Sequence, residues 1–137
     1  MPIDIAQVEI IEEFALFDDW EDKYAYLIEL GKLLPTMPDE HKTDEQKVKG
    51  CQSNVWLYPT FQEHKLFFEA DSDALIVKGL VSLLVRMLSG QPPEDIATAS
   101  LYVFEKIGMN QHLSMTRANG LASMINQLRM YAVEYAK

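Results

Sequence analysis

The chain has 137 residues, of which 48% are hydrophobic and 24% are charged, and its formal net charge is −9. This size and composition predict a soluble globular protein with one domain, residues 1–137, built on a single core. The acidic balance argues against nucleic acid or an anionic membrane as partner, because both favour basic surfaces. The N-terminus has no basic region followed by an apolar core, and the apolar run from Ala74 to Leu88 is interrupted by Lys78 and Arg86. We therefore predict no secretory signal, no bilayer span and a cytoplasmic, reducing location.

The first part of the chain predicts two helices. Val8, Ile11 and Ala15 fall at i, i+3 and i+7, a helical spacing that indicates the first. The apolar positions of the second recur at i, i+4, i+7 and i+8 and are occupied by Trp20, Tyr24, Leu27 and Ile28. Asp18 or Asp19 can cap this second helix. Acidic residues are dense between positions 9 and 22, which indicates either a solvated helical face or a surface that steers a basic partner protein.

The middle of the chain predicts a loop followed by a hairpin. Residues 35–50 are polar and charged and contain two prolines, a pattern typical of an extended surface loop. The runs Val55–Tyr58 and Leu66–Phe68 are rich in aromatic and branched residues and predict the two arms of an antiparallel hairpin. Cys51 is therefore expected where the loop meets the first strand.

The remainder is predicted to be helical. Asp71, Ser72 and Asp73 are candidate caps for a helix with a wide apolar surface. That surface comprises Leu75, Ile76, Leu80, Leu83, Leu84, Met87 and Leu88. Further helices are predicted after Gly90, over Leu101 to Ile107, and from about Thr116 to Ala136. The predicted order is helices, a small antiparallel sheet of two to three strands, and then helices again. This order is typical of an α+β fold.

Cys51 is the single cysteine of the chain, which excludes an intrachain disulfide and a multi-cysteine metal site. Gly50 leaves space beside the thiol, and Lys47 and Lys49 bring positive charge that would favour the thiolate. A lone cysteine is also commonly a small buried apolar residue, so local context leaves both interpretations open. Because the three histidines show no ligand spacing, no metal site is predicted. The chemistry left to a reactive Cys51 is thiol exchange with another molecule, without a resolving cysteine.

Three segments of the chain carry a resemblance to a known family. Gly50-Cys51-Gln52-Ser53-Asn54-Val55-Trp56 resembles the active-cysteine segment of the SufE family, the sulfur acceptors of iron–sulfur cluster assembly. Asp71-Ser72-Asp73 followed by Ile76–Leu80, and His112–Ser114 followed by Arg117–Leu121, match in the same order. Met115 and Thr116 stand where the family often has proline and serine, and Asn54 stands where glutamine is common.

The resemblance implies a fold, partners and an activity. The fold is that of SufE and IscU-type proteins, a small antiparallel sheet with helices packed on it and the cysteine on a loop at one end. SufE-like proteins bind a pyridoxal-phosphate cysteine desulfurase (SufS-like), take sulfane sulfur from its persulfidated cysteine and stimulate its turnover. They then deliver the sulfur to a cluster scaffold (SufBCD-like). The cofactor belongs to the desulfurase, so none is expected on this chain.

The resemblance also assigns residues. Cys51 is the expected sulfur acceptor, carried as a persulfide, in a loop shaped by Gly50, Gln52 and Ser53. Arg117 is expected either near Cys51, where it would support the thiolate or contact the desulfurase, or in a salt bridge with an acid such as Asp73. Asp73 belongs to the same matched motifs and is a candidate for partner binding or thiolate support, and its alternative role is that of a helix cap.

Two other functions compete with the carrier. One is a regulatory module that binds and activates a desulfurase without carrying sulfur, and the weaker one is a thiol redox enzyme. In the carrier, the free thiol is expected to lie against apolar residues such as Trp56 or Leu57 until a partner turns it outward.

Overall fold

Helices pack on one face of a two-stranded antiparallel sheet, which confirms the predicted α+β class. The computed structural model describes residues 2–137. The elements in chain order are α1 (Pro2–Phe14), α2 (Trp20–Lys32), β1 (Val55–Gln62), β2 (Lys65–Ser72), α3 (Leu75–Leu88), α4 (Pro93–Thr98), α5 (Val103–Lys106) and α6 (Met115–Ala136). Among these residues, no helix has the length and apolar character needed to cross a bilayer.

The predicted hairpin is present, and its strands are longer than the apolar runs that indicated them. Pairing extends from Val55 opposite Ser72 to Gln62 opposite Lys65. The turn residues Glu63 and His64 both have positive φ, 52° and 62°, as a two-residue hairpin turn requires. Alternate residues are buried along β2 and in the first half of β1, so one face of the sheet joins the core with α3 and α6.

Helix α3 lies at the centre of the molecule. It packs against α1, α2, α6 and β2, and it is buried from Leu80 to Leu84 without interruption. Its contact with α2 is backbone to backbone, since a Cβ built on Gly79 would lie 2.4 Å from the carbonyl oxygen of Leu27. Glycine is therefore required at this crossing.

Helix α1 is present as predicted, but the residues whose spacing indicated it do not mark its buried side. Val8 is 47% exposed and Ala15 is also exposed, whereas the buried residues are Ile3, Gln7, Ile10 and Phe14. Gln7 belongs to this side because its side chain completes the backbone hydrogen bonds of another segment. Its Nε2 donates to the Ser100 carbonyl at 3.0 Å, and its Oε1 accepts from the amides of Tyr102 and Val103.

The two cap predictions have opposite outcomes. Asp19 caps α2, and its carboxylate accepts from the amide of Asp22 at 2.8 Å. The caps predicted for α3 are wrong. Asp71 and Ser72 belong to β2 and pair with β1, and the N-cap position is held by Ala74 without a side-chain hydrogen bond. Leu75, which was predicted to belong to the apolar surface of α3, is 59% exposed and is not part of the buried side.

The segment predicted as a surface loop lies across the outer face of the hairpin. His41 stacks on Tyr58 with ring centroids 3.8 Å apart, and its Nδ1 is 2.6 Å from a carboxylate oxygen of Glu69. Lys42 pairs with Asp71 at 2.7 Å. These contacts hold the segment along the sheet, and the chain then continues through Cys51 into the start of β1.

Candidate functional site

Cys51 lies between the strand β1 and the helix α6. Its side chain is half-buried, and Sγ donates a hydrogen bond to the carbonyl oxygen of Gly120 at 3.4 Å. The polar contact of the thiol is thus with the backbone of α6, and its side chain also packs against the hydrophobic core. The contact with α6 was not predicted, because sequence periodicity does not show which helix crosses the cysteine loop.

A cavity of about 380 Å³ opens beside the thiol. The loop contributes Cys51, Gln52 and Ser53, and the start of α6 contributes Ser114, Thr116 and Arg117. Its apolar floor comes from Val77, Leu121 and Met124. The fold therefore brings Arg117 to the same cavity as the three loop residues, across more than sixty positions of sequence. Ser114, Thr116 and the apolar residues of the cavity floor were not among the site residues predicted from the sequence.

Gly50 permits the close approach of the loop to α6. Its φ is +92°, a conformation that residues with a side chain rarely adopt. A Cβ at this position would also lie 2.5 Å from Oγ of Ser123. A side chain at position 50 would therefore displace the loop that carries Cys51.

Asp73 holds the far end of this loop. Its carboxylate accepts from the backbone amide of Asn54 at 3.0 Å and from Nδ2 of Asn54 at 2.7 Å. The amide of Asp73 in turn donates to the Asn54 carbonyl at 3.2 Å. The alternative role of Asp73 as a helix cap is wrong, since its carboxylate is used to tie the cysteine loop to the junction of β2 and α3.

Arg117 is exposed and lines the cavity through which Cys51 is reached. Within residues 2–137 its guanidinium lies in no salt bridge, and the candidate acid Asp73 is engaged by Asn54. Its backbone amide is held by Oγ of Ser114, the N-cap of α6, at 3.2 Å. The positive charge of Arg117 thus remains available to an anionic group in the cavity.

Burial raises the pKa of the Cys51 thiol above its ordinary value. The expectation that Lys47 and Lys49 would favour the thiolate is wrong, because both line a separate recess beside Ser123 and Asn126. A charge that is near in sequence has been turned away from the sulfur by the fold. The resting thiol is therefore protonated at neutral pH, consistent with its hydrogen bond to Gly120.

The histidines are placed in other contacts. His41 and His64 pair with Glu69 and Glu94, and His112 stacks on Trp20 with ring centroids 4.0 Å apart. Across residues 2–137, no group of three His, Cys, Asp or Glu side chains could hold a metal ion.

Comparison with known proteins identifies the family of the chain. Residues 8–132 match the family model described as SufE, Fe-S metabolism associated domain. The chain belongs to the SufE family. A SufE-like protein of Rhizobium meliloti (strain 1021) is 46% identical over 129 residues, which cover 90% of this chain and 92% of that protein. A SufE-like protein of Rhizobium etli is 45% identical over 126 residues, covering 88% of this chain and 85% of that one.

The fold of this SufE-family chain is also found in a solved structure. The solution structure of a hypothetical protein from Thermus thermophilus matches with a TM-score of 0.77 and 19% identity, covering 95% of both chains. At this identity the likeness establishes the fold alone. Membership of the family associates the chain with iron–sulfur metabolism.

Proposed function

We propose that this protein is a sulfur carrier that accepts sulfane sulfur from a cysteine desulfurase as a persulfide on Cys51. The observation that carries the proposal is the position of the chain's single thiol at the wall of an open cavity that Arg117 also lines. A carrier must receive sulfur and release it again. Because the chain has no second cysteine, it has no resolving thiol that could discharge the bound sulfur as an internal disulfide.

The transfer step is an exchange of one sulfur–sulfur bond for another. The Cys51 thiolate attacks the outer sulfur of the desulfurase persulfide, and a bond forms between this sulfur and Sγ. The bond to the desulfurase cysteine breaks, and that cysteine leaves as a thiolate with the electron pair. The proton released by Cys51 balances the thiolate that leaves. One persulfide is consumed and one is formed, so no oxidant or reductant is needed.

The raised pKa of Cys51 makes deprotonation the demanding part of this step. Arg117 supplies positive charge at the cavity, and Gln52 and Ser53 supply hydrogen-bond donors, for a sulfur anion that forms there. Burial and the bond to Gly120 oppose the anion in the free protein. The thiol becomes a competent nucleophile when a partner draws the loop away from α6.

The partners follow from this chemistry and from the family. A SufS-like desulfurase carries the pyridoxal phosphate and supplies the sulfur, so this chain needs no cofactor of its own. A SufBCD-like scaffold complex receives the sulfur. Removing sulfur from the desulfurase frees its cysteine for the next turnover, and this accounts for stimulation without any change in the desulfurase active site.

Desulfurase turnover tests the proposal. A cysteine desulfurase forms one alanine for each sulfur that it takes from cysteine, so alanine release measures its rate. With saturating cysteine, we expect added protein to raise the rate of alanine formation in a dose-dependent and saturable manner. A rate that stays at the level of the desulfurase alone, in the presence of demonstrated binding, would contradict the carrier function.

A further inference from the structure

Helix α6 passes directly behind Cys51 at Gly120. Gly120 is buried in the second turn of α6, and its carbonyl oxygen accepts the hydrogen bond from Sγ. A Cβ built on Gly120 would lie 3.4 Å from Sγ, and within the described residues it would meet no other atom of a neighbouring segment within 4 Å. The sulfur is therefore the neighbour that a side chain at position 120 would meet: a methyl group would just touch it, and a larger group would press on it.

The surroundings of Gly120 differ from those of Gly79, the glycine at the crossing of α2 and α3. At Gly79 a Cβ would collide with the backbone of α2 at 2.4 Å, so packing of two helices explains that residue. Glycine within a helix costs about 0.5–1 kcal/mol relative to alanine. At Gly120 no helix crossing accounts for this cost, and the neighbour that would feel a side chain is the reactive thiol.

We propose that Gly120 is a positioning residue for sulfur transfer, whose bare backbone holds the unloaded Cys51 thiol against α6. This inference rests on the proposed function of Cys51 as sulfur acceptor. The hydrogen bond requires a hydrogen on Sγ, so only the protonated thiol can make it. A thiolate in the same place would turn its negative charge toward the carbonyl lone pairs. The contact therefore keeps the thiol withdrawn and unreactive until the loop moves.

The charges around the sulfur allow this effect to be isolated. Among the described residues that line the cavity, Arg117 of α6 carries the single formal charge, and α3 contributes the apolar Val77. Lys47 and Lys49 face the separate recess, and the Asp73 carboxylate is bound to Asn54. A substitution at position 120 thus changes the burial and position of Sγ without changing any charge near it.

The test is the rate at which iodoacetamide alkylates Cys51, measured across pH in the absence of desulfurase. Gly120→Ala places a methyl group in contact with Sγ, and Gly120→Val branches at the atom that makes this contact. The alanine methyl makes an ordinary contact at 3.4 Å and leaves the sulfur in place, whereas the branched valine side chain must displace it toward solvent. That displacement lowers the pKa of the thiol and raises its thiolate fraction. We expect the rate at neutral pH to rise about tenfold for valine, as a pKa decrease of roughly one unit would produce, and to stay at the wild-type value for alanine. The pH midpoint of alkylation should fall for valine alone.

Ala122→Val is the matched control, because Ala122 is exposed on the same helix and the substitution carries the same cost of a branched residue in a helix. It should leave both the rate and the pH midpoint unchanged. A rate and midpoint equal to wild type for Gly120→Val, or slower alkylation, would overturn the inference. If valine prevents folding, Gly120→Thr, which is branched at the same atom, is measured in its place, with the same expected direction and the same overturning result. Failure of the wild-type protein to accept sulfur would refute the proposed function and leave the alkylation result unaffected.

Discussion

Replacing Cys51 with serine is expected to return the turnover of the desulfurase to the rate that it has alone. The serine hydroxyl is smaller than the thiol but can still donate to the carbonyl of Gly120, so the loop should keep its place. An oxygen nucleophile cannot form the sulfur–sulfur bond that transfer requires. Alanine formation by desulfurase in the presence of Cys51→Ser, compared with wild type at equal concentration, measures this effect.

Binding must be followed beside turnover, because the same experiment separates the carrier from a regulatory module. A carrier loses stimulation in Cys51→Ser while its Kd for the desulfurase stays close to the wild-type value. A module that activates without carrying sulfur keeps both binding and stimulation. Retained stimulation by the serine variant would thus refute the role of Cys51 and favour that alternative.

The largest effect on stability is expected for Gly79→Ala. Its Cβ would lie 2.4 Å from the Leu27 carbonyl oxygen and 2.6 Å from the Leu27 side chain, so α2 and α3 must move apart across the core. Because the clash is with backbone at 2.4 Å, the overpacking cost lies at the upper end of its usual range, about 3 kcal/mol. The gain of roughly 1 kcal/mol from replacing glycine in a helix offsets only part of it. We expect thermal unfolding to show a Tm lower by about 4–10 °C.

Gly120→Ala provides the matched control, since the same substitution is made in a buried position of a helix. Its Cβ would be in ordinary contact with the Cys51 sulfur at 3.4 Å, so its Tm should equal or exceed that of the wild type. Equal Tm values for Gly79→Ala and wild type would show that α2 and α3 are not held at this distance. The pair therefore distinguishes a glycine needed for packing from one placed beside a thiol.

Local pattern was sufficient for the elements whose residues interact with near neighbours. The aromatic and branched runs predicted the hairpin, and Asp19 was a correct cap because a cap depends on the next three residues. The buried side of α1 was missed because Gln7 is polar and is buried only through hydrogen bonds to residues more than ninety positions away. Sequence periodicity carries no signal for such a partner.

The site divides in the same way. The motif of the cysteine loop indicated Cys51 and its neighbours as site residues, and the family resemblance indicated that Arg117 lies near them. The contact with Gly120 and the Asn54–Asp73 pair depend on how α6 and β2 lie against the loop, which the residues alone do not reveal. The predicted effect of Lys47 and Lys49 on the Cys51 thiolate was wrong for the same reason. Both lysines are near Cys51 in sequence but line another recess.

The central claim is that Cys51 itself carries the sulfur, and intact-mass measurement tests it most directly. The protein is incubated with a cysteine desulfurase and cysteine, separated without reductant, and weighed beside Cys51→Ser treated identically. We predict that the wild-type protein gains the mass of one sulfur atom, that a reductant removes it, and that the serine variant gains nothing. A wild-type mass that remains unchanged while the desulfurase turns over, or an equal gain in the serine variant, would contradict the account.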